Sequence, residues 1–261
     1  MKKFFRVWLV TAKMVILPDL VSSGPALLFI LGKIVRFLLY FLFLFQVLAA
    51  GAGMAGYSAQ EVILFFLIFN LVDTTIQFLF RGVYHFRGVV ASGNFDLDLV
   101  KPLPSFFRPV FGHIDIMDFI TLVPLFGFFI WYAGVHHLTA GAVGVFAFII
   151  LFLSSLLFGF AFHLFISAIC VLTLEIDHLV WIYRDLTAAA RFPTDIYRGF
   201  MRFLITFVVP VVLLITFPAK GLLGLLSWDK IILSVFFSIF SVILSLKFWR
   251  YSLKKYTSAS S

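Results

Sequence analysis

Charge is what this chain has least of. Only 12% of its residues are Asp, Glu, Lys or Arg, against 63% hydrophobic and a mean hydropathy of +1.13, and a soluble domain carries about twice that charged share. The deficit excludes a water-solvated globular enzyme or binding module, because a surface this apolar is solvated only by lipid. Cysteine is nearly absent as well. The single thiol, Cys170, sits in an apolar run and can form no intrachain disulfide, so it reads as a packing residue. Long polar stretches are missing, which leaves no room for a large soluble domain. So is a phosphate-binding loop: Gly32-Lys33 is followed by Ile34, and no glycine stands five positions before Gly32. No cofactor is expected on this chain.

What is present is apolar and aromatic bulk, including 37 Phe, gathered into runs. A helix needs about 20 apolar residues to cross a hydrocarbon core about 30 Å thick. Six runs qualify: Phe37 to Ala55, Val62 to Phe80, Phe119 to Val135, Ala140 to about Leu174, Phe203 to Phe217 and Ile231 to Leu246. The fourth would measure about 50 Å as a straight helix, too long for one bilayer and too short for two spans with a turn. It reads as a tilted helix continuing into the cytoplasm, with His163 the point for any break. The fifth contains Pro210 and leads into FPAKGLLGLLSW, read as a short re-entrant or outer-surface helix.

The basic residues orient these spans, since cytoplasmic loops retain Lys and Arg while translocated ones lose them. Of the 20 Lys and Arg, all but Lys220 and Lys230 fall before the first span, between the second and third, between the fourth and fifth, or after the sixth. Both termini are therefore expected in the cytoplasm. The charges follow span ends and form no basic surface with interleaved aromatics, so nucleic acid is not an expected partner. In residues 2 to 16, Lys2, Lys3, Arg6 and Lys13 share one helical arc, while Phe4, Phe5, Trp8, Ala12 and Val15 share the opposite one. This reads as an interfacial amphipathic helix ended by Pro18. It lacks the apolar core and cleavage site of a signal peptide.

The expected fold is all-α: a polytopic integral membrane protein of six transmembrane helices with an N-terminal amphipathic interfacial helix. One domain covers 1–261, with 1–33 the interfacial helix and its lead-in, and 81–118 and 175–202 two cytoplasmic segments. The strongest signal at membrane depth is a polar stripe at helical spacing on the second span, formed by Asn70, Asp73, Thr74 and Gln77 and reaching Arg81. A carboxylate is costly in lipid, so this stripe must face protein or a water-filled path. Enzyme signatures are poor. Asp96-Leu97-Asp98 reads as a cytoplasmic turn, Glu175-Ile176-Asp177-His178 as a solvated helix end, and His113 with Asp115 as capping or charge-pairing groups.

Two segments carry a family likeness. GNFDLDLVKPLPSFFRPVFG, from Gly93 to Gly112, and RFPTDIYRGFMRFLITFVVPVVLLITFPAKGLLG, from Arg191 to Gly224, resemble segments of ATP-binding-cassette (ABC) type-2 exporter permeases. The resemblance implies one six-span half of a transporter in the plasma or inner membrane. Its partners would be membrane lipid, a second permease, identical or related, and two copies of a cytoplasmic ATPase that binds ATP and Mg. It also implies that Asp96, Leu97, Asp98, Lys101, Pro102 and Leu103 form a coupling helix seated on the ATPase. Lys101-Pro102-Leu103-Pro104 is a stiff turn, since each proline fixes its own φ and restricts its predecessor. The stripe from Asn70 to Gln77 would then line a translocation path or a subunit interface. Two other classes remain open to the residues themselves. One is a lipid-head-group enzyme built on Asp96, Asp98, His113 and Asp115, and the other is a membrane scaffold.

Overall fold

The computed structural model describes residues 2–21, 23–49, 54–174, 177–208 and 210–257, and among these it is helical with no strand. Twelve α-helices follow in order: α1 Lys2–Val21, α2 Ser23–Ala49, α3 Ala59–Phe80, α4 Val83–Ala91, α5 Asn94–Leu99, α6 Phe107–Phe111, α7 Ile116–Val135, α8 Gly141–Thr173, α9 Asp177–Ala188, α10 Gly199–Phe203, α11 Phe217–Leu222 and α12 Trp228–Lys255. By length and composition, four described stretches suffice to cross a membrane: α3 with α4, α7, α8 and α12. They coincide with the second, third, fourth and sixth expected spans. The first span falls on α2 and on residues 50–53, which lie outside the described residues.

Local chemistry explains several helix boundaries. Ser58 accepts a hydrogen bond from the Glu61 amide while Glu61 accepts from the Ser58 amide, a reciprocal capping box that starts α3. Asp115 starts α7 by accepting from the Met117 amide at 2.9 Å. The helix α1 does not stop at Pro18 but continues to Val21, since a proline forfeits one helical hydrogen bond without forbidding the turns around it. Nor does α8 break at His163. The ring Nδ1 donates to the Gly159 carbonyl at 2.8 Å within the same helix, which fixes the ring without opening the backbone.

The tightest seam lies between α8 and α12, where Ser234, Ser238, Ser245 and Ser252 are buried along one face of α12. Small side chains let two backbones approach closely. The opposite face of α12 exposes Ile232, Phe236, Phe240 and Ile243.

The long helices alternate in direction and give the bundle two ends. At one, the Tyr132 hydroxyl donates to the Gln60 carbonyl and the Ala140 amide donates to the Leu222 carbonyl at 2.9 Å. At the other, Lys33 pairs with Asp118 and Arg81 approaches Asp115 at 3.4 Å. The segment 175–202 was expected to stay at the Arg81 end, and it does not. Tyr183 stacks on Phe162 of α8 at 4.4 Å, Arg191 lies over Phe69 of α3, and Asp195 bonds Tyr57 at the far end. The chain from α9 through the 3-10 turns at Ala189–Arg191 and Thr194–Ile196 thus rises along the whole bundle.

The run expected as the fifth span, Phe203 to Phe217, is correspondingly not one helix. Wide π-type turns occupy Leu204–Val208 and Val212–Thr216, with Pro210 non-helical between them. Leu213 meets Ser155 in the middle of α8, and Gly221 packs on Ala147 and Leu151 nearer its start. This stretch therefore returns from mid-bundle to the Tyr57 end. The physical reason for both corrections is polarity. Periodic Arg and Asp residues disguise a stretch that packs along the other helices, while an unbroken apolar run disguises a dip that Pro210 interrupts.

Candidate functional site

Three places gather the polar residues of this bundle. The first is the segment after α4. Phe95 is fully buried, with its ring edge-on to Phe86 at 5.1 Å and to Tyr256 at 5.3 Å, and Trp249 packs against it at 6.1 Å. The Trp249 indole donates to the Ser105 hydroxyl at 2.9 Å. These contacts fasten α5 to α4 and to the last turns of α12. Asp98 receives hydrogen bonds from both Lys101 and Arg108 at 2.7 Å, so it staples the Lys-Pro-Leu-Pro turn to α6. What projects is the apolar tip: Leu97 is 61% exposed and Val100 81%. Pro102 is exposed, Leu103 half-buried, and Asp96 lies beside Tyr256. The sequence reading named Leu97 and missed Val100, whose exposure shows only in the folded turn.

The second place is at membrane depth. Of the stripe on α3, Asn70 is satisfied on its own helix, donating to the Phe66 carbonyl at 2.8 Å, and Thr74 is half-buried. Gln77 is buried and accepts weakly from Arg81 at 3.5 Å. Asp73 gains what the sequence could not name: the charges acting on it are Arg184 of α9, Arg36 of α2 and Arg191, in that order. Arg191 is held in place by a hydrogen bond to the Tyr40 hydroxyl at 2.9 Å, and it lies over the Tyr40 and Phe69 rings at 4.7 and 5.2 Å. The carboxylate thus feels arginine charges from α2, from α9 and from the 3-10 turn at Ala189–Arg191. Sequence reasoning assigned Arg184 and Arg191 to a cytoplasmic loop and so lost them as partners.

The third place closes the Tyr57 end. Asp195 accepts from the Tyr57 hydroxyl at 2.8 Å and pairs with Lys220 at 2.9 Å. Burial raises its pKa, yet the hydrogen bonds from Lys220 and Tyr57, with the charges of Lys220 and Arg202, outweigh burial and hold the carboxyl below its usual range. One residue therefore ties the loop before α3, the rising segment and the returning segment together.

Of the four residues of the enzyme reading, Asp98 and His113 line one cavity and Asp96 and Asp115 do not. Asp98 is taken by Lys101 and Arg108, Asp115 caps α7 and faces Arg81, and Asp96 lies by Tyr256. His113 stacks on His85 at 3.9 Å beside a cavity that Asp98 also lines. Glu175 and Ile176 lie outside the described residues.

No curated protein and no solved structure matches the chain. A family model does. The model described as ABC-2 family transporter protein matches residues 34–260, from the first long helix to the tail of α12. With its apolar helical bundle, the chain belongs to the ABC-2 transporter family of membrane proteins.

Proposed function

We propose that this chain is the permease half of an ATP-driven exporter, working with two copies of a cytoplasmic ATPase and with a second permease, identical or related. It catalyses no bond-making itself; ATP and Mg sit on the partner. In this reading the chain lies in the plasma or inner membrane with both termini and the Arg81 end in the cytoplasm. Six crossings are retained, namely α2, α3, α7, α8, the rising segment from α9 to Asp195, and α12. Residues 199–222 form a re-entrant excursion from the outer side, and α1 lies at the inner interface.

The observation that carries the reading is Asp73 on α3, within the field of Arg36 on α2, Arg184 on α9 and Arg191 on the turn that follows it. Charged side chains at membrane depth face protein or a water-lined path, and Arg36 and Asp185 remain exposed on the surface of a single copy. A second permease against α2 and α9 would cover them and enclose a path between the halves, along which an amphiphilic substrate moves. The anchored α5 segment supports the coupling role of Asp96, Leu97, Asp98, Lys101, Pro102 and Leu103. A rigid element seated on an ATPase can convert its closure into a shift of attached helices. Here the attachment runs to α12 and, through the serine seam, to α8.

The test is mild-detergent purification of the tagged full chain from its native host, with co-purifying chains identified and ATP hydrolysis assayed. Recovery of a P-loop ATPase supports the reading. Recovery of the chain alone, stable and without ATPase activity, overturns it.

A further inference from the structure

We propose that the cavity between α4, α5 and α6 is a binding site for a phosphate monoester. That an occupant would brace the segment proposed to couple to an ATPase rests on the exporter reading; binding itself does not. The cavity measures about 370 Å³, within the range of about 300–1,000 Å³ that small molecules occupy. Its polar wall is His85 of α4, Asn94 and Asp98 of α5, Lys101 of the following turn, Arg108 of α6, and His113. Five of these side chains can donate hydrogen bonds, and Asp98 is the one carboxylate among them.

Direct contacts fix the charges. Asp98 Oδ1 accepts from Lys101 Nζ and from Arg108 Nη1, each at 2.7 Å. One carboxylate therefore holds two cations, and the wall keeps a positive charge before either imidazole is counted. The Asp98 side chain is 9% exposed against 41% for Lys101 and 42% for Arg108, so the acid lies beneath and the cations lie toward solvent. Each cation spends one donor on Asp98 and keeps others, since an ammonium has three and a guanidinium five. Both long side chains are already held in one geometry, which lowers the ordering cost of binding. His85 and His113 stack with ring centroids 3.9 Å apart, bringing imidazoles from either end of this segment to the same cavity.

Donors from three helices and their connecting turns suit a tetrahedral group with three terminal oxygens better than a flat carboxylate with two. Phe86, Val89, Leu97 and Pro109 complete the wall with apolar surface, so the volume left beside a phosphate suits the carbon skeleton of an ester. A cationic ligand is opposed by Lys101 and Arg108. A metal ion lacks ligands, since among the described residues no three His, Cys, Asp or Glu side chains gather to hold one. The tendency of basic residues to stay at the cytoplasmic boundary accounts for Lys101 and Arg108 being in this segment, and the staple at Asp98 accounts for one of them. Neither accounts for their convergence with two imidazoles on one cavity.

The test titrates the purified full chain, in phosphatidylcholine nanodiscs, by calorimetry with glycerol 3-phosphate, glycerol, and glycerophosphocholine, whose phosphate is a capped diester. Glycerol 3-phosphate should bind saturably and at least about tenfold tighter than either other probe. Arg108→Gln should remove this preference and Lys230→Gln should leave it unchanged. Because Arg108 also pairs with Asp98, Val89→Phe is the second variant: it narrows the cavity without touching either ion pair and should weaken binding as well. Arg108 is exposed and Val89 half-buried, so both variants should elute as the unaltered protein does. Equal affinity for the three probes overturns the proposal, as does an unaltered preference in either variant. Nanodiscs containing phosphatidic acid, or phosphatidylglycerol at matched surface charge, identify the source of the monoester. Competition by phosphatidic acid alone supports a lipid head group, and competition by neither supports a soluble ester. Equal competition by both lipids shows charge without recognition of the monoester and overturns the proposal. Because binding needs no ATPase, failure here and failure to recover an ATPase partner are separate results.

Discussion

Substituting Phe95 tests whether a single ring carries the segment proposed to couple to an ATPase. Its side chain is fully buried in a cage of Phe86, Trp249 and Tyr256, and truncating a buried Phe to Ala costs about 3–5 kcal/mol through lost transfer energy and the cavity left behind. The helix α5 spans only six residues and buries no other side chain, so a loss of that size exceeds anything else holding it. Phe95→Ala should lower the Tm of the purified permease and abolish ATPase co-purification together. Phe95→Leu, which refills most of the volume but forfeits aromatic pairs worth about 0.5–1.5 kcal/mol each, should show a smaller drop and partial association. The control is Leu97→Ala. That side chain is 61% exposed, so its removal should change stability by no more than about 0.5 kcal/mol while weakening ATPase association. The reasoning fails if Phe95→Ala leaves Tm and association intact, or if Leu97→Ala lowers Tm without touching association.

Further expectations follow from other contacts. A Cβ at Gly82 would lie 2.7 Å from the Pro109 carbonyl oxygen and 2.8 Å from that of Val110, so Gly82→Ala must push α4 and α6 apart. It should lower Tm by several degrees where Gly88→Ala, which meets nothing within 4 Å, does not. Arg198→Cys, on the exposed stretch after Asp195, should react in intact cells with an impermeant maleimide as readily as Lys230→Cys, while Lys101→Cys stays protected. Protection at 198 together with labelling at 230 would return this segment to the cytoplasm. Asp195→Asn should reduce stability by about 1 kcal/mol at neutral pH, the scale of a part-exposed ion pair. A carboxyl whose folded pKa is depressed stabilises above its unfolded pKa near 3.9, and this contribution fades as pH falls through the lower folded value. The Tm gap between Asp195→Asn and the unaltered protein should therefore hold from neutral pH to about pH 4 and close below it. A gap that widens on acidification refutes the assignment.

Much of this was legible without coordinates. Apolar runs of spanning length located α3, α7 and α8 within a few residues and the apolar part of α12, which runs on to Lys255, because a hydrocarbon core imposes both a length and a composition. The cap at Asp115 and the stiff turn at Lys101 to Pro104 were equally local matters of side-chain chemistry and φ restriction. The serine seam of α12 was missed, although its buried residues, Ser234, Ser238, Ser245 and Ser252, recur at helical spacing and could have been read as a close-packing face.

The sequence by itself determined that this is a helical membrane protein, since that follows from how single segments partition between lipid and water. Only the tertiary structure decided which stretch rises and which dips. Arg184 and Arg191 look like loop residues until Asp73, Tyr40 and Phe69 are placed beside them, and Phe203 to Phe217 looks like a span until Ser155 and Thr194 are seen to receive Leu213 and Thr216. The free energy of burying a charge or of bending a helix at mid-bundle depends on partners scores of residues away, so no window of the sequence contains it.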